Sequence, residues 1–122
     1  MSIHSKWAEL IYSGKKTIEL RKSKPIKKSE WNIAVVYLYE TDKKKITGCF
    51  HTEINNILEI KSANHFLYNR AGMNSISELL KYMNGKKVYG WKIKGYVKFH
   101  KELELRHFNL KRAPQSWQYT NY

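Results

Sequence analysis

The residues most able to do chemistry cluster near the start of the chain, where several cations surround one acid. Because strand side chains alternate, Thr17, Glu19 and Arg21 are expected on one face of a strand, with Lys15 and Lys16 in the turn before it. Lys16 and Arg21 could hold a phosphate or a base edge there, while Glu19 orients Arg21 or accepts from an exocyclic amine. The alternative is a solvated network of surface ion pairs, each worth about 0–1 kcal/mol.

The same cluster could instead catalyse a reaction, with Lys16 and Glu19 as the candidate catalytic residues. A lysine acts as a base only when burial or a nearby cation lowers its pKa. Lys15 is such a neighbour, whereas Glu19 opposes the shift. The residues alone therefore leave both a binding site and a catalytic site open.

The remaining chemistry-bearing residues predict neither a metal site nor a cofactor. The histidines are not paired at the close spacing of helical metal ligands, and Cys49 is the single cysteine. Cys49 and His51 share a predicted strand face, but no third group is placed to orient a nucleophile pair. Gly90 and Gly95 lie within a predicted strand rather than in a phosphate-binding loop. The histidines are His4, His51, His65, His100 and His107.

The net charge of +13, from 23 Lys and Arg against 10 Asp and Glu, predicts a polyanionic partner. Basic residues concentrate in residues 15–28, in residues 86–101 and after Glu104, and a fold could bring these stretches onto one surface. Nucleic acid is favoured over a membrane, because neither terminus offers a basic amphipathic helix or an apolar anchor. A lysine-rich protein without such a partner and a domain that binds an acidic protein are the alternatives.

Further residues complete the predicted nucleic-acid site. Trp117 follows Arg112 and Pro114 in an irregular tail, so its ring could stack on an unpaired base for about 1–3 kcal/mol, or could instead plug the core. Lys6 is expected near the cleft. The residues expected to hold phosphates are Lys15, Lys22, Lys24 and Arg112. Because A-form helices hide their major-groove edges, the expected target is a single strand or a flipped-out base.

Length and composition bound the class of protein. A chain of 122 residues is expected to form one domain over residues 1–122, and 42% hydrophobic with 14% aromatic content excludes wholesale disorder. A single cysteine excludes an intramolecular disulfide framework. No apolar run approaches the roughly 20 residues of a membrane span, and no signal core opens the sequence. A cytoplasmic protein that does not bind membranes is therefore expected, with its oligomeric state open.

Periodicity predicts both helices and strands. Ser5 is expected to cap the first helix and Gly14 to end it, while Ser75 and Glu78 form a capping box on the third. Gly48 suggests a bulge or a close backbone approach. The predicted helices are residues 5–13, 62–70 and 75–84. The predicted strands are residues 17–22, 32–39, 45–54, 88–100 and 103–108, with a hairpin turn at 41–44.

The order of these elements predicts an α+β fold. Strands do not alternate regularly with crossover helices, so a doubly wound parallel sheet is not expected. A small, strongly curved barrel with helices at its mouth fits the order better.

The segment 7–21 also resembles the opening of ASCH domains, which belong to the PUA-like superfamily. Their signature is a helix followed by Gly-x-Lys-x-x-Glu-x-Arg. The matching residues are Gly14, Lys16, Glu19 and Arg21, preceded by Trp7, Ala8 and Ile11 in a similar Trp-Ala-x-x-Ile pattern. The resemblance implies a pseudo β-barrel of about five to six mostly antiparallel strands with two to three flanking helices. It also implies RNA binding in a basic cleft beside the first helix.

Some relatives in that family are enzymes, and their residues transfer only in part. One bacterial branch resembles an amidohydrolase of N4-acetylcytidine that uses a Lys, a Thr and a Glu. By position the Lys falls on Lys16, the Thr on Glu19, and the Glu on residues 70–73, which contain no acid. Another branch resembles a ribonuclease, but no full catalytic set can be placed here. RNA binding is the leading hypothesis, and a hydrolase of modified nucleobases or of RNA is the alternative.

Overall fold

The computed structural model describes residues 1–26 and 32–120, which form an α+β fold of two small sheets and three helices. The α-helices are α1 (Ser5–Tyr12), α2 (His65–Arg70) and α3 (Ile76–Met83). The strands are β1 (Ser2–Ile3), β2 (Ile18–Arg21), β3 (Ile33–Glu40), β4 (Lys45–Glu53), β5 (Leu58–Ile60), β6 (Val88–Lys92) and β7 (Gly95–Leu103). Two 3-10 turns lie at Ile54–Asn56 and Leu105–Phe108.

The strands divide between two mostly antiparallel sheets. Sheet A has the order β1-β3-β4-β7, in which β1 runs parallel to β3, and sheet B has the order β2-β6-β5. The expected barrel is not closed, because no hydrogen-bonded ladder among the described residues joins an edge of sheet A to an edge of sheet B. The strands in this part of the chain number seven rather than the expected five to six.

Helix α1 forms at the predicted position and buries Ile11 in the core. The prediction that Ser5 caps it is wrong, since Ser5 is the first helical residue and the N-cap residue, His4, makes no side-chain cap hydrogen bond. The Ser5 amide instead donates to Asp42 Oδ1 at 2.9 Å, so the β3–β4 hairpin supplies the acceptor. The chain turns away from the helix at Gly14, whose φ of +79° is readily adopted by glycine.

The β3–β4 hairpin forms as predicted, with its turn at residues 41–44. Strand β4 also pairs with β7, and the register of that pair shifts between Ile46 and Gly48. A Cβ atom at Gly48 would lie 2.2 Å from the Val97 carbonyl oxygen and 2.5 Å from the Tyr12 hydroxyl. The irregularity and the close approach expected at this glycine are therefore both present.

Two strand predictions need correction, and two strands were missed. The predicted strand 88–100 is two strands, because the chain passes from sheet B to sheet A between β6 and β7. Most of the predicted strand 103–108 is a 3-10 turn, in which Phe108 packs into an apolar cluster with Tyr39 and Ile46. Strands β1 and β5 were not predicted, because two or three residues are too few for alternation to be recognised.

The later helices agree more closely with prediction. The Ser75 hydroxyl accepts from the Glu78 amide at 3.2 Å, as expected for α3. The Glu78 carboxylate accepts from the amide of Asn74 rather than of Ser75, so the capping box is displaced by one residue. Helix α2 starts later than predicted, because Asn64 is its cap and its side chain accepts from the Leu67 amide at 2.9 Å.

Two apolar clusters on opposite faces of sheet B determine which way the side chains of residues 18–21 point. Helices α2 and α3 cover one face, where Ile18 and Leu20 of β2 are buried. Because side chains alternate along a strand, Glu19 and Arg21 point to the other face, toward the cluster that contains Trp91. None of the helices in the described part of the chain is long and apolar enough to cross a membrane.

Candidate functional site

A cavity of about 290 Å³ opens at the seam between the two sheets, where β1 forms one edge of sheet A and β2 one edge of sheet B. The three charged residues of the predicted cleft line this cavity together with residues of α1, of α3 and of the loop between α2 and α3. The lining residues are Ser2, Ile3, His4, Trp7, Lys16, Glu19, Leu20, Arg21, Ala71, Met73 and Tyr82. Lys16, Glu19 and Arg21 therefore line a pocket at the open seam between the sheets.

Lys16 lies in the turn after α1, with its side chain only 5% exposed. Its amide donates to the Leu10 carbonyl at 2.9 Å, which folds the turn back onto the helix. Its Nζ atom donates to the Ala71 carbonyl and lies 3.1 Å from Glu19 Oε1. Two of its three N–H donors therefore have partners among the described residues, and no hydrogen bond of the third to these residues is seen.

Glu19 lies between two cations. Its Oε1 pairs with Lys16, whereas its Oε2 accepts from Arg21 Nε at 2.8 Å and lies 2.8 Å from Arg21 Nη2. The side chains of Glu19 and Arg21 are 7% and 12% exposed. The three groups therefore form a buried network, not the solvated surface network that the sequence left open.

Arg21 also joins parts of the chain that are far apart in sequence. Its Nη2 donates to the Ser2 carbonyl at 2.8 Å, and its Nη1 donates to Ser116 Oγ at 3.2 Å. The Ser2 amide in turn donates to the Ser116 carbonyl at 2.8 Å. The guanidinium thus links β2, β1 and the C-terminal segment across the seam, so it shapes the cavity wall as well as supplying charge.

Burial lowers the pKa of Lys16 below its ordinary value, because desolvation disfavours the charged ammonium. The charge of Glu19 and its hydrogen bond act in the opposite direction on that pKa, and the nearby Arg21 lowers it. Among the described residues, no group of three or more His, Cys, Asp or Glu could hold a metal ion. The polar groups that the network offers a ligand are an ammonium, a carboxylate and a guanidinium, which suit a planar ligand with both donors and acceptors.

Trp7, which matches the family's Trp-Ala-x-x-Ile pattern but was not predicted to line the cleft, supplies an aromatic wall. The residue is half-buried, and its ring centroid lies 4.6 Å from Lys6 Nζ and 5.3 Å from Lys16 Nζ. Met73 and Tyr82 also line the cavity and were not predicted. They come from distant parts of the chain, so no local pattern could place them, whereas the position of Trp7 just before the motif was a usable signal.

Three predicted residues near the motif lie outside the cavity. Lys15 and Thr17 flank Lys16 but are exposed, and neither lines the cavity. Thr17 precedes β2; its amide donates to the Arg70 carbonyl at 2.8 Å, and its carbonyl accepts from the Ile93 amide at 2.9 Å. Lys6 is exposed at the rim, beside the Trp7 ring.

The predicted phosphate-binding residues beyond β2 lie on tyrosine rings. Lys22 Nζ donates to the Tyr82 carbonyl at 2.6 Å and lies 4.4 Å from that ring's centroid, while Lys24 Nζ lies 5.5 Å from the Tyr89 ring. Arg112 is exposed, outside the cavity, in the segment that follows the second 3-10 turn. Residues 27 and 28, which end the first basic stretch, lie outside the described residues.

Trp117 packs into the molecule. Its ring centroid lies 5.3 Å from that of Trp91 with the planes at 69°, and its Nε1 donates to Ser23 Oγ at 3.0 Å. It lines a second, largely apolar cavity of about 270 Å³, not the one that holds the motif. These contacts favour a role in closing the core over a role as a stacking platform.

Comparisons with known proteins show the family and the fold. A family model described as the ASCH domain matches residues 1–105. A crystal structure of an ASCH protein from Zymomonas mobilis is 23% identical with a TM-score of 0.70, covering 95% of this chain and 82% of that chain. Two structures of mutant forms of that protein are 23% and 22% identical to this chain, with TM-scores of 0.69 and 0.68. Both matches cover 95% of this chain, and they cover 84% and 82% of the mutant chains. No curated protein matches. At this identity the likeness shows the fold.

Proposed function

The chain belongs to the ASCH domain family, and from this premise we propose that it binds RNA as one domain spanning residues 1–122. The proposed site is the cavity beside α1, and the proposed target is single-stranded RNA or RNA with an exposed base. Lys16, Glu19 and Arg21 recognise the base, while exposed lysines around the cavity bind phosphates and supply affinity.

The buried network of Lys16, Glu19 and Arg21 carries this proposal. Burying three charges costs several kcal/mol of desolvation per ion, and an apolar cluster of similar size is often as stable. The network therefore has a weak rationale as a stabilising device alone. As a recognition device it offers an unused Lys16 N–H donor and the remaining lone pairs of Glu19, side by side in a cavity.

The remaining walls also suit a nucleobase. Trp7 presents an indole ring, and stacking of a base on an aromatic side chain is worth about 1–3 kcal/mol. The volume of about 290 Å³ is at the small end of ligand pockets, in keeping with one base rather than a duplex. Because bases in A-form RNA are paired and stacked, the target must be unpaired or flipped out to enter.

Exposed cations surround the cavity and support the choice of a polyanion. Lys6 lies at the rim, Lys15 follows α1, and Lys22 and Lys24 follow β2. Arg112 would bind phosphate farther from the cavity. Such contacts are insensitive to sequence and raise affinity by releasing counterions, so they complement base recognition in the cavity.

The lowered pKa of Lys16 supports a second candidate, a hydrolase acting on a modified nucleobase or on RNA. A lysine whose pKa is lowered by burial is a better proton acceptor near neutral pH. Two features weigh against it: Glu19 opposes the shift, and the loop at residues 70–73 contributes a backbone carbonyl to Lys16 but no carboxylate. RNA binding without turnover therefore remains our first proposal.

A Lys16→Met variant tests the binding site, because Met keeps the length of the side chain and removes the ammonium while Glu19 keeps Arg21 as a partner. We expect the affinity for mixed-sequence single-stranded RNA to fall about 10–100-fold, equivalent to one charge-assisted hydrogen bond of about 1.5–3 kcal/mol. Fluorescence anisotropy of labelled RNA at fixed salt measures the change, and thermal unfolding checks that the variant is folded.

Lys101→Gln is the matched control, because Lys101 is exposed on β7 and its substitution removes the same charge outside the cavity. Equal losses in the two variants, or no RNA binding by the parent protein, would overturn the proposal. Incubation with N4-acetylcytidine and with RNA separates the two functions. Turnover that disappears in Lys16→Met would favour the hydrolase, and a protein partner retained after nuclease treatment would favour an acidic protein ligand.

A further inference from the structure

Five lysines lie together at one end of sheet B. The ladder places Arg21 opposite Tyr89 and Tyr89 opposite Glu59, so the last residues of β2 and β5 lie beside the first residues of β6. The lysines that flank these strand ends form what we call the sheet-end band. They are Lys22 and Lys24 after β2, Lys61 after β5, and Lys86 and Lys87 before β6.

The sheet-end band carries a large local excess of positive charge. All five lysines are exposed. Glu59 is the acid that forms ion pairs with the band among the described residues, at 3.8 Å from Lys61 Nζ and 3.7 Å from Lys87 Nζ. With strands about 4.8 Å apart, these charges lie over roughly 10 Å of sheet width. Such a density is unfavourable in the free protein and is relieved by an anion.

Lysines at the end of sheet A have a different environment. Lys43 Nζ lies 3.6 Å from Glu102 Oε2, and Lys45 Nζ lies 3.1 Å from Glu104 Oε1. Each of these cations has its own carboxylate, whereas the five cations of the sheet-end band share one. The sheet-end band therefore has fewer carboxylates per cation than the Lys43 and Lys45 pairs.

The sheet-end band adjoins the cavity at Tyr82, and two of its lysines lie beside a second tyrosine. Tyr82 lines the cavity, and Lys22 Nζ lies 4.4 Å from its ring centroid. Tyr89 lies between Lys24 and Lys87, whose Nζ atoms are 5.5 Å and 5.9 Å from its ring centroid. A polyanion held by these lysines would thus pass over half-buried aromatic rings as it leaves the cavity.

We propose that the sheet-end band is the phosphate track of the site, along which single-stranded RNA runs away from the base held in the cavity. This inference rests on the proposed function and adds the path of the strand. The RNA leaves past Tyr82, and its phosphates contact Lys22 and Lys24, then Lys87 and Lys61. Compact, strongly hydrated ammonium groups suit this task, because they bind phosphate without fixing its orientation.

The test compares two double variants that remove equal charge. Lys61→Gln with Lys87→Gln removes two lysines of the sheet-end band that have no assigned role at the cavity, and Lys98→Gln with Lys101→Gln removes two exposed lysines of β7. Each is titrated with single-stranded RNA of about 10 nucleotides and with nucleoside monophosphates, over a range of salt. The mononucleotides report on the cavity alone, whereas the longer RNA reports on the cavity and the track.

For the sheet-end double variant we expect about tenfold weaker binding of the longer RNA near 0.1 M salt, and a salt slope smaller by about 1.4. Mononucleotide affinity should be unchanged, and the β7 double variant should bind both probes as the parent does. Equal losses of affinity for the longer RNA in both double variants, or an unchanged affinity for it in the sheet-end double variant, would overturn the track while leaving the cavity proposal in place. A parent protein that binds neither probe would overturn both.

Discussion

At the scale of single residues, Glu19 determines the electrostatics of the candidate site, because it contacts both buried cations. Strand alternation was enough to predict that Glu19 and Arg21 share a face, and the structure has them on one face of β2. The burial of Lys16 could not be predicted, since a turn does not fix side-chain direction. It depends on the Ala71 carbonyl, which another loop brings to the site.

Glu19→Gln should destabilise the protein by about 3–5 kcal/mol near neutral pH, because it leaves Lys16 charged and buried without its counterion. The loss should shrink as the pH rises. Removing Glu19 lowers the folded-state pKa of Lys16 further below its unfolded value, so the unfolded state binds more protons between the two values and stability rises through that interval. Urea unfolding of both proteins between about pH 7 and about pH 10 measures the difference.

Glu9→Gln is the control for this change, since Glu9 is exposed on α1 and no described residue forms an ion pair with it. Its effect should stay within about 0.5 kcal/mol at every pH. A Glu19→Gln loss that is the same at both ends of the pH range would show that the cost does not come from the charge of Lys16.

At the scale of elements, the sequence predicted the parts that carry their own signals. Helix α3 has its cap and apolar stripe, and the β3–β4 hairpin has two long apolar strands around a polar turn. Strand β1 has no such signal, because Ser2 and Ile3 become a strand only by pairing with Tyr39 and Glu40. The seam between β1 and β2, and hence the cavity, therefore depends on tertiary pairing that a local pattern does not contain.

Gly48 tests the packing of α1 against sheet A. In Gly48→Ala the new Cβ would meet the Val97 carbonyl oxygen at 2.2 Å and the Tyr12 hydroxyl at 2.5 Å, so β7 or α1 must shift. The Tyr12 hydroxyl also shares a hydrogen bond with Thr47 Oγ1 at 2.8 Å, which limits its movement. We expect a loss of about 1–3 kcal/mol in the free energy of unfolding, the usual cost of overpacking, measured by urea denaturation.

Gly95→Ala is the matched control, because Gly95 begins β7 in the same sheet and a Cβ atom there meets nothing within 4 Å. Its effect should be neutral or stabilising by about 0.5 kcal/mol, since alanine restricts the unfolded chain. If both variants lost the same stability, the close approach at Gly48 would not be the cause.

At the scale of the whole molecule, the fold brings together two of the three basic stretches seen in the sequence. Lys22 and Lys24 from the first lie beside Lys86 and Lys87 from the second at the end of sheet B. In the third, Arg106 Nε is held 2.8 Å from Glu104 Oε2. The sequence predicted the net charge of +13 but not this distribution, because the pairing of cations depends on strand register.

Salt should therefore act in opposite directions on the stability and on the RNA binding of this protein. A net charge of +13 destabilises the compact state by self-repulsion, which added salt screens, so the Tm should rise between about 50 mM and about 200 mM salt. Binding of single-stranded RNA should weaken about 10–100-fold over the same range, with a slope of about −0.7 per phosphate contacted. Thermal unfolding and anisotropy titrations in matched buffers measure the two effects. The opposite signs separate counterion release from unfolding, since a protein that lost RNA because salt unfolds it would show a falling Tm, and that result would remove the electrostatic basis of the proposed site.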